Sequence, residues 1–535
     1  MHSAASLIFR RFDESFTEDY PASRQFSYLY CYLRDLGAVS ILEEPHYFDR
    51  DYLSEFAAFY SVSSRGYSNT CRRLHFFSTS VSRETFTAAV SNDAVANSNL
   101  QQAYLGFTII RPITATPLGC TVLRWYPVKA HETRRITNPC RQYRSHVAGI
   151  TLSVYGLAWQ QQDTAVGACA TIGLWSMLHS SSFDNDRTAP TTAEITEAAN
   201  MTAATGARVF PSDGLTIIQL LEAIKRYRLA PFAISGDIRP DGLSLSNGSV
   251  EGSAGFSRER FSSTCASFIR SGYPILVIGL SVGVGRHAVC MTGFRELPPG
   301  TIEPSAVKAA DESIQHVYIH DDNLGPNVRF AVHTRSQFGQ VSLIPDPPAA
   351  KRVEGNRSPT LGHPPFIPQQ IVVCTHEELR TSPDKLHGKG LAIGAAFARE
   401  MNRLLKLADR DLRGVSYSCR FMLIREYLGN ELGSMYQSPA SGALLGRIRL
   451  ELTERVVPMS KHVGVVRLSL QDATPVLDVL FDTSDSDLNH PVFAHVTFGS
   501  NVCRIVEGID GFQQGRYGVQ IKAFDAEKRP ASQAL

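Results

Sequence analysis

The sequence predicts an α+β fold, in which a group of helices is followed by an antiparallel sheet. Apolar residues recur at helical spacing from Cys169 through Ile172 to Trp175, and further amphipathic stretches come after them. Three short runs rich in β-forming residues then follow one another along the chain. Helices and strands grouped in this way are typical of α+β proteins.

The elements of this region are predicted from apolar periodicity, from helix start signals such as Thr192 and Ser212, and from runs of β-forming residues. In chain order they are a strand over residues 146–159, a helix from Cys169, helices over residues 191–201, 215–227 and 261–271, and strands over residues 274–280, 287–294 and 316–320. We expect the last three strands to belong to one antiparallel sheet.

The chain of 535 residues is too long for one ordinary hydrophobic core, so we expect about three domains. Residues 1–150 are expected to form an N-terminal accessory domain, and residues 151–345 the central domain. Residues 346–370 are rich in proline and glycine and predict a linker. Residues 371–535 are expected to form a C-terminal α+β accessory domain. Neither flanking region carries a motif with a chemical mechanism.

Composition and charge favour a globular protein that binds neither nucleic acid nor a membrane. Hydrophobic residues make up 43% of the chain and charged residues 19%, which is typical of a globular protein. The 53 basic and 51 acidic residues nearly cancel, so neither nucleic acid nor a membrane is an expected partner. No stretch has the length of a membrane helix, and the short apolar start precedes positive charge instead of following it. We therefore expect a cytoplasmic protein.

The ten cysteines are dispersed through the chain, and none form a C-x-x-C pair. This pattern predicts reduced thiols, with neither a disulfide framework nor a zinc ribbon. We expect no cofactor and no metal ion.

Cys169 has the local sequence of a reactive thiol. It opens a buried helix, and the dipole and unpaired N–H groups of a helix N terminus stabilise a thiolate. Its small neighbours, from Gly167 to Ala170, would let a substrate carbonyl approach the sulfur while the Cys169 N–H donates to the developing oxyanion. A second donor is expected from a glutamine upstream, for which the candidates are Gln160, Gln161 and Gln162.

His287 is the predicted base for this thiol. It opens a strand after the glycine-rich turn at residues 283–286, which would expose its ring at a sheet edge. The strand over residues 316–320 is followed by Asp321 and Asp322, ahead of a Gly-Pro turn. An aspartate there could accept the Nδ1 proton of His287 and leave Nε2 facing the thiol.

The order of these residues resembles the papain-like cysteine peptidase superfamily, and most closely the bacterial branch that processes double-glycine leader peptides. That branch has a Q…C opening, a G-x-P-[VI] strand, a G-H-[AF]-V-[VC] strand and a strand that ends in D-P-x-x-G. The corresponding segments here are Gln161/Gln162 to Cys169, Gly272 to Ile275, Gly285 to Cys290, and Asp321 to Gly325. The resemblance covers about residues 150–345 and implies a papain-like core with a helical lobe and an antiparallel sheet.

Some features depart from that branch. Its nucleophile lies in Asp-Cys-Gly, whereas Cys169 lies between two alanines, nearer to the Gly-x-Cys of papain. Residues 297–314 are an insertion between the histidine and aspartate strands, which we expect to form a surface hairpin or loop. The leader-peptidase register selects Asp321 as the third member of the triad, and the papain register selects Asp322. We prefer Asp321.

The resemblance implies a cysteine peptidase that cleaves a peptide or isopeptide bond through a thioester intermediate. Two alternatives use the same scaffold. One is an acyltransferase that passes the acyl group to an amine. The other is a non-catalytic recognition protein, which the two large flanking regions would suit. A peptide or protein is the expected substrate, and the flanking regions could bind a further protein.

Overall fold

A computed structural model divides the chain into two compact units. Unit 1 comprises Met1–Ser257, Gly272–Arg295 and Gln315–Thr375, and unit 2 comprises Arg258–Ser271, Glu296–Ile314 and His376–Leu535. The residues that the structure describes are 6–13, 16, 23–127, 134–163, 165–180, 188–201, 209–210, 214–238, 255–283, 285–297, 302–334, 339–346, 363–436, 441–456, 459–470, 474–484 and 492–524.

Strands occur in both units. In chain order they are β1 Ile8–Arg11, β2 Ser40–Tyr47, β3 Cys71–Phe77, β4 Tyr104–Ile110, β5 Leu118–Leu123, β6 Arg135–Ile136, β7 Arg141–Val147, β8 Ile150–Gly156, β9 Ala230–Ser235, β10 Ile275–Ser281, β11 Gly285–Glu296, β12 Val307–Ala309, β13 Ile314–Asp321, β14 Gly325–Thr334, β15 Val341–Pro345, β16 Phe366–Thr375, β17 Val415–Leu423, β18 His462–Ser469, β19 Pro475–Asp482, β20 Val492–Thr497 and β21 Val519–Lys522.

Helices also occur in both units. In chain order they are α1 Arg24–Asp35, α2 Arg50–Ala58, α3 Arg83–Val90, α4 Ala94–Ala103, α5 Cys169–Leu178, α6 Thr192–Asn200, α7 Ile217–Arg226, α8 Arg258–Arg270, α9 Pro383–Leu407, α10 Ile424–Glu426, α11 Leu432–Met435, α12 Gly442–Arg455, α13 Ser500–Glu507 and α14 Asp510–Gln513. Among the helices described, none is long and apolar enough to cross a membrane.

Unit 1 contains two larger sheets and the hairpin β7-β8. β1 to β5 form an antiparallel sheet in chain order. The second sheet has the order β9-β16-β15-β14-β13-β11-β10, and it closes on itself because β10 also pairs with β16. β11 is the neighbour of β13 in this closed sheet. The start of β11, with His287, therefore meets the end of β13, with Asp321.

The helix α5 is held against the closed sheet. Its residues from Ala170 to Leu178 are all buried, and it packs on α6, α7 and β10. Gly173 permits the approach to β10, because a Cβ at this position would overlap the side chain of Leu276. The apolar sequence of α5 thus fixes Cys169, its first residue, beside the sheet that carries His287.

Unit 2 is built on a sheet of order β12-β17-β18-β19-β20-β21. β17 to β20 are antiparallel, whereas the edge strands β12 and β21 run parallel to their neighbours. α8 and α9 pack against β17. A fully buried aliphatic core includes Ile448, Val463, Leu480 and Val496.

The α+β class predicted from the sequence is confirmed, since each unit combines helices with a mainly antiparallel sheet. The predicted strands over residues 274–280, 287–294 and 316–320 correspond to β10, β11 and β13. The run over residues 146–159, however, is a hairpin and not one strand. Ala148 and Gly149 have φ values of 48° and 86°, which is the left-handed geometry of a tight turn between antiparallel strands.

The predicted domain boundaries differ from the division seen in the structure. The boundary at residue 150 falls at the turn of the β7-β8 hairpin, inside unit 1. Of the predicted linker, residues 347–362 lie outside the described residues, but residues 366–370 belong to β16 of the closed sheet. The insertion at residues 297–314 supplies β12 to the sheet of unit 2 and is not simply a surface loop. β16 and β12 both pair with strands that are distant in sequence, so local composition could not reveal either of them.

Candidate active site

Cys169 is the first residue of α5 and is partly exposed. The preceding residue, Ala168, has an extended backbone (φ −68°, ψ 164°) and makes no side-chain capping bond. Ala168 therefore leaves the N–H groups of the first helical turn uncapped. These groups and the helix dipole favour a negative charge on the Cys169 sulfur.

The loop before α5 is held by Asp163. Its Oδ1 atom accepts hydrogen bonds from the backbone N–H groups of Ala165, Val166 and Gly167, at 2.8, 2.6 and 3.0 Å. A carboxylate that binds three successive N–H groups fixes the path of the chain into the helix. The sequence did not single out Asp163, although it directly follows the three glutamines.

A buried ionic network lies behind this loop. Nη1 of Arg111 lies 2.9 Å from Oε2 of Glu55 and 3.7 Å from Oδ2 of Asp163. Oε1 of Glu55 accepts hydrogen bonds from Nε2 of Gln160 and Oγ1 of Thr192, both at 2.7 Å. Burial raises the pKa of Glu55, and the positive charge of Arg111 opposes that rise. Residues 1–150, in which the sequence shows no chemical motif, thus support the loop that leads to Cys169.

His287 is the third residue of β11 and pairs with Gly279 of β10. Its side chain is 9% exposed, and its ring meets Phe366 edge-on at a centroid distance of 6.2 Å. Nε2 lies 3.5 Å from Oδ1 of Asp321 and 3.3 Å from Oδ1 of Asp322. The expectation that Nδ1 faces the aspartate is therefore wrong. The ring presents Nε2 to the acidic pair.

The side chain of Cys169 lies close enough to His287 to contribute to the pKa of that histidine. Burial disfavours the imidazolium form of His287. The charge of Asp322, a hydrogen bond with Asp321 and the interaction with Cys169 outweigh burial and raise the pKa of His287 well above its ordinary value. A protonated imidazole beside a cysteine sulfur is an arrangement in which a histidine can exchange a proton during nucleophilic chemistry.

The two aspartates have different environments. Oδ1 of Asp321 also accepts the N–H of Asn323 at 2.8 Å. Burial opposes ionisation of Asp321, but its hydrogen bond to His287 and the nearby positive charge lower its pKa. Neither carboxyl oxygen of Asp322 has a hydrogen bond among the described residues. Burial raises the pKa of Asp322 to about 7.

These differences assign different roles to the aspartates. Asp322 has the shorter distance to Nε2, but Asp321 is hydrogen-bonded and ionised, so we take Asp321 as the group that orients His287. Asp322 is a buried carboxyl group that gains or loses a proton close to neutral pH.

The three candidate glutamines point to three different places. Gln160 donates to Glu55, and Oε1 of Gln161 accepts the N–H of Leu118 at 3.3 Å. Nε2 of Gln162 donates to Oδ1 of Asn323 at 3.1 Å. The structure thus brings Gln162 to the neighbourhood of His287, while the side chain of Gln161 is bonded to β5.

Two residues near the site were missed by sequence reasoning. Nδ2 of Asn323 lies 3.4 Å from Nε2 of His287, and Nε2 of His363 lies 3.9 Å from Oδ2 of Asp321. Asn323 follows the two aspartates, so its position in the same turn was a usable signal. His363 lies within the predicted linker, where nothing in the local sequence indicated a site residue.

Asp321, Asp322 and His287 also have side chains of the kinds that bind metal ions. One ligand atom each from His287, Asp321 and Asp322 lie within 4.8 Å of one another, so these residues could hold a cation. The same His287 ring is already engaged with the Cys169 side chain. A thiol, a base and an orienting carboxylate are the groups that nucleophilic catalysis requires.

Comparisons with known proteins add no assignment. No family model matches the chain, and a search of curated proteins finds no match to it.

Proposed function

We propose that the protein is a papain-like cysteine peptidase that hydrolyses a peptide or isopeptide bond. The observation that carries the proposal is the position of His287, which interacts with Cys169 and with Asp321 at once. Cys169 opens a buried helix, and the histidine and aspartate come from neighbouring strands of a closed antiparallel sheet. This arrangement supports the papain-like core that the sequence motifs imply.

In the proposed reaction the Cys169 thiolate attacks the substrate carbonyl carbon to give a tetrahedral intermediate. His287, as the imidazolium, then donates its proton to the leaving amine as the C–N bond breaks, and a thioester remains. Neutral His287 next accepts a proton from water, whose oxygen attacks the thioester. The acid product leaves, and the thiolate–imidazolium pair is restored.

Charge that develops on the carbonyl oxygen needs fixed donors. The N–H of Cys169 and Nε2 of Gln162 are the proposed pair, because Gln162 is the glutamine nearest to His287 by its bond to Asn323. The Gln162 amide would have to leave Asn323 and turn toward the substrate. Asp321 keeps the ring of His287 in place throughout, since its carboxylate is fixed by Asn323.

The proposal is tested first by the reactivity of Cys169. The intact protein is treated at pH 7 with an epoxysuccinyl peptide electrophile, and the modified cysteines are located by mass spectrometry. Cys169 should react at least about tenfold faster than Cys140, which is also partly exposed but has no such partners among the described residues. His287→Ala should remove that difference, and equal rates at the two cysteines in the wild-type protein would refute the proposal.

Turnover is tested with a proteome as substrate. New peptide N termini are compared after incubation with wild type, Cys169→Ala and the matched control Cys140→Ser. We expect the same cleavages with wild type and Cys140→Ser and none with Cys169→Ala. If Cys169 is reactive but its thioester passes only to added amines, the acyltransferase alternative replaces hydrolysis.

A further inference from the structure

A second cluster of ligand-type side chains lies in unit 2. His376 follows β16, Glu378 lies in the turn that comes next, and His462 is the first residue of β18. One ligand atom from each of the three lies within 4.8 Å of the others. Nδ1 of His462 is 3.9 Å from Oε2 of Glu378, and the two imidazole rings are 4.9 Å apart.

His462 is the unusual member of this cluster. Its side chain is fully buried, and neither ring nitrogen has a hydrogen bond among the residues that the structure describes. Other buried histidines are satisfied: His75 is bonded to Tyr104 and Glu44, and Nδ1 of His495 to the carbonyl of Tyr517. Buried polar groups in proteins normally have hydrogen-bond partners, so a buried imidazole with two unpaired nitrogens requires an explanation. A metal ion bound to one of the nitrogens would supply it.

We propose that His376, Glu378 and His462 bind a first-row divalent metal ion, with Zn²⁺ the best match. Two imidazole nitrogens and one carboxylate oxygen are a common protein ligand set for Zn²⁺, and the fourth position is then open to water. His376 is partly buried and Glu378 is 48% exposed, so an ion can reach the cluster from solvent. Bound metal would tie the segment after β16 to the start of β18.

The positive charge of Lys461 near the cluster predicts the direction in which metal affinity should change when that charge is removed. Nζ of Lys461 lies 3.7 Å from Oε1 of Glu378, and the Lys461 side chain is 69% exposed, so it can move away when an ion binds. It nevertheless competes for the same carboxylate. Removal of this charge by Lys461→Gln should therefore tighten metal binding.

The test uses the full chain after removal of metal, titrated with Zn²⁺ against a competing chromophoric chelator. Wild type should bind Zn²⁺ at this site, and His376→Ala and Glu378→Gln should each weaken binding by at least about tenfold. Glu377→Gln is the matched control, because Glu377 is the exposed neighbour of Glu378 and is not in the cluster. It should bind as wild type does. These variants change exposed or partly exposed side chains, so folding should persist.

The candidate active site must be separated from this one. The titration is repeated in a His287→Ala chain, which lacks the histidine of the other cluster, and with Co²⁺ as a spectroscopic probe. The site in unit 2 should persist there and give a Co²⁺ spectrum without a thiolate charge-transfer band. The proposal is overturned if His376→Ala and Glu378→Gln bind Zn²⁺ as tightly as wild type, or if wild type does not bind it. Binding that disappears with His287→Ala would likewise assign the metal elsewhere.

Discussion

Nε2 of His287 lies 3.5 Å from Oδ1 of Asp321 and 3.3 Å from Oδ1 of Asp322, the next residue, whose carboxyl group has no hydrogen bond of its own among the described residues. The closed sheet produces this arrangement, because β13 ends where β11 begins. The pKa of Asp321 is lowered, which keeps its carboxyl group ionised, whereas the pKa of Asp322 is raised to about 7. The two carboxyl groups should therefore respond differently to the same substitution.

Asp321→Asn should slow alkylation of Cys169 by at least about tenfold, because the ring of His287 loses the carboxylate that orients it. Asp322→Asn should slow alkylation by less than Asp321→Asn does, because it removes a charge that raises the pKa of His287 but leaves the orienting hydrogen bond of Asp321 in place. The second-order rate constant with iodoacetamide measures both. A larger loss in Asp322→Asn than in Asp321→Asn would exchange the roles assigned here.

Stability should depend on pH through Asp322. The pKa of Asp322 is about 7 in the folded protein, whereas an unfolded aspartate titrates near about 3.9. Between these values the folded state binds a proton that the unfolded state has released. The stability contributed by protonated Asp322 is thus fully present below about pH 4 and is lost as the pH rises to about 7.

This loss can be isolated in a variant. In the wild type the free energy of unfolding should fall by on the order of 4 kcal/mol across that pH range, and Asp322→Asn should remove this fall. His287, whose pKa is also raised, loses its contribution at higher pH, and Asp321, whose pKa is lowered, does so at lower pH. Urea unfolding from pH 4 to 7 is the measurement. Parallel wild-type and variant curves would contradict the shift at Asp322.

Gln162→Ala should separate turnover from thiol reactivity. If Gln162 donates to the oxyanion, its loss should lower kcat by about 100-fold or more, whereas alkylation by iodoacetamide, which forms no oxyanion, should change by less than about twofold. Cleavage of a peptide taken from the proteome comparison supplies kcat. Gln102→Ala, at an exposed glutamine, is the control. An equal fall in both rates would mean that Gln162 only supports the local structure.

The sequence could predict the parts of this site that have local signals. Cys169 opens an apolar helix, His287 follows a glycine-rich turn at the start of a strand, and Asp321 ends a strand ahead of Gly325, so the order of these signals along the chain indicated the three residues. The choice between Gln161 and Gln162 could not be made, because adjacent glutamines differ only in the direction in which the folded chain points them. Which nitrogen of His287 faces the acids likewise depends on the rotation of its imidazole ring in the folded site.

The remainder of the site depends on contacts between residues that are distant in sequence. Glu55 and Arg111 reach the loop before Cys169 from another part of unit 1. His363 comes from a proline-rich segment whose composition predicts a linker. No local pattern distinguishes these residues from ordinary surface charges. They were identifiable only when the closed sheet and its pairing were known.

Asp163→Ala should destabilise unit 1 by about 2 to 4 kcal/mol, because three backbone N–H groups lose their acceptor and Arg111 loses a nearby charge. It should also slow alkylation of Cys169, since the loop into α5 is no longer fixed. Asp163→Asn keeps an oxygen for the N–H groups and should recover most of the stability. Urea unfolding and the alkylation rate test this. Equal behaviour of the two variants would show that the charge matters and the hydrogen bonds do not.

Gly173→Ala should loosen the packing of α5 on β10. The new methyl group would overlap the side chain of Leu276, and overpacking of this kind costs about 1 to 3 kcal/mol. Since α5 carries Cys169, the movement should also lower the alkylation rate. Gly388→Ala is the control, because Gly388 lies in α9 with nothing within 4 Å of its added Cβ.

At that exposed helical position alanine should stabilise by about 0.5 to 1 kcal/mol. Hydrogen exchange of peptides from α5 and α9, read by mass spectrometry, reports the two effects separately. Exchange in α5 should become faster in Gly173→Ala, while exchange in α9 should become slower in Gly388→Ala. Unchanged exchange in α5, with an unchanged rate at Cys169, would mean that the helix does not depend on close contact with β10.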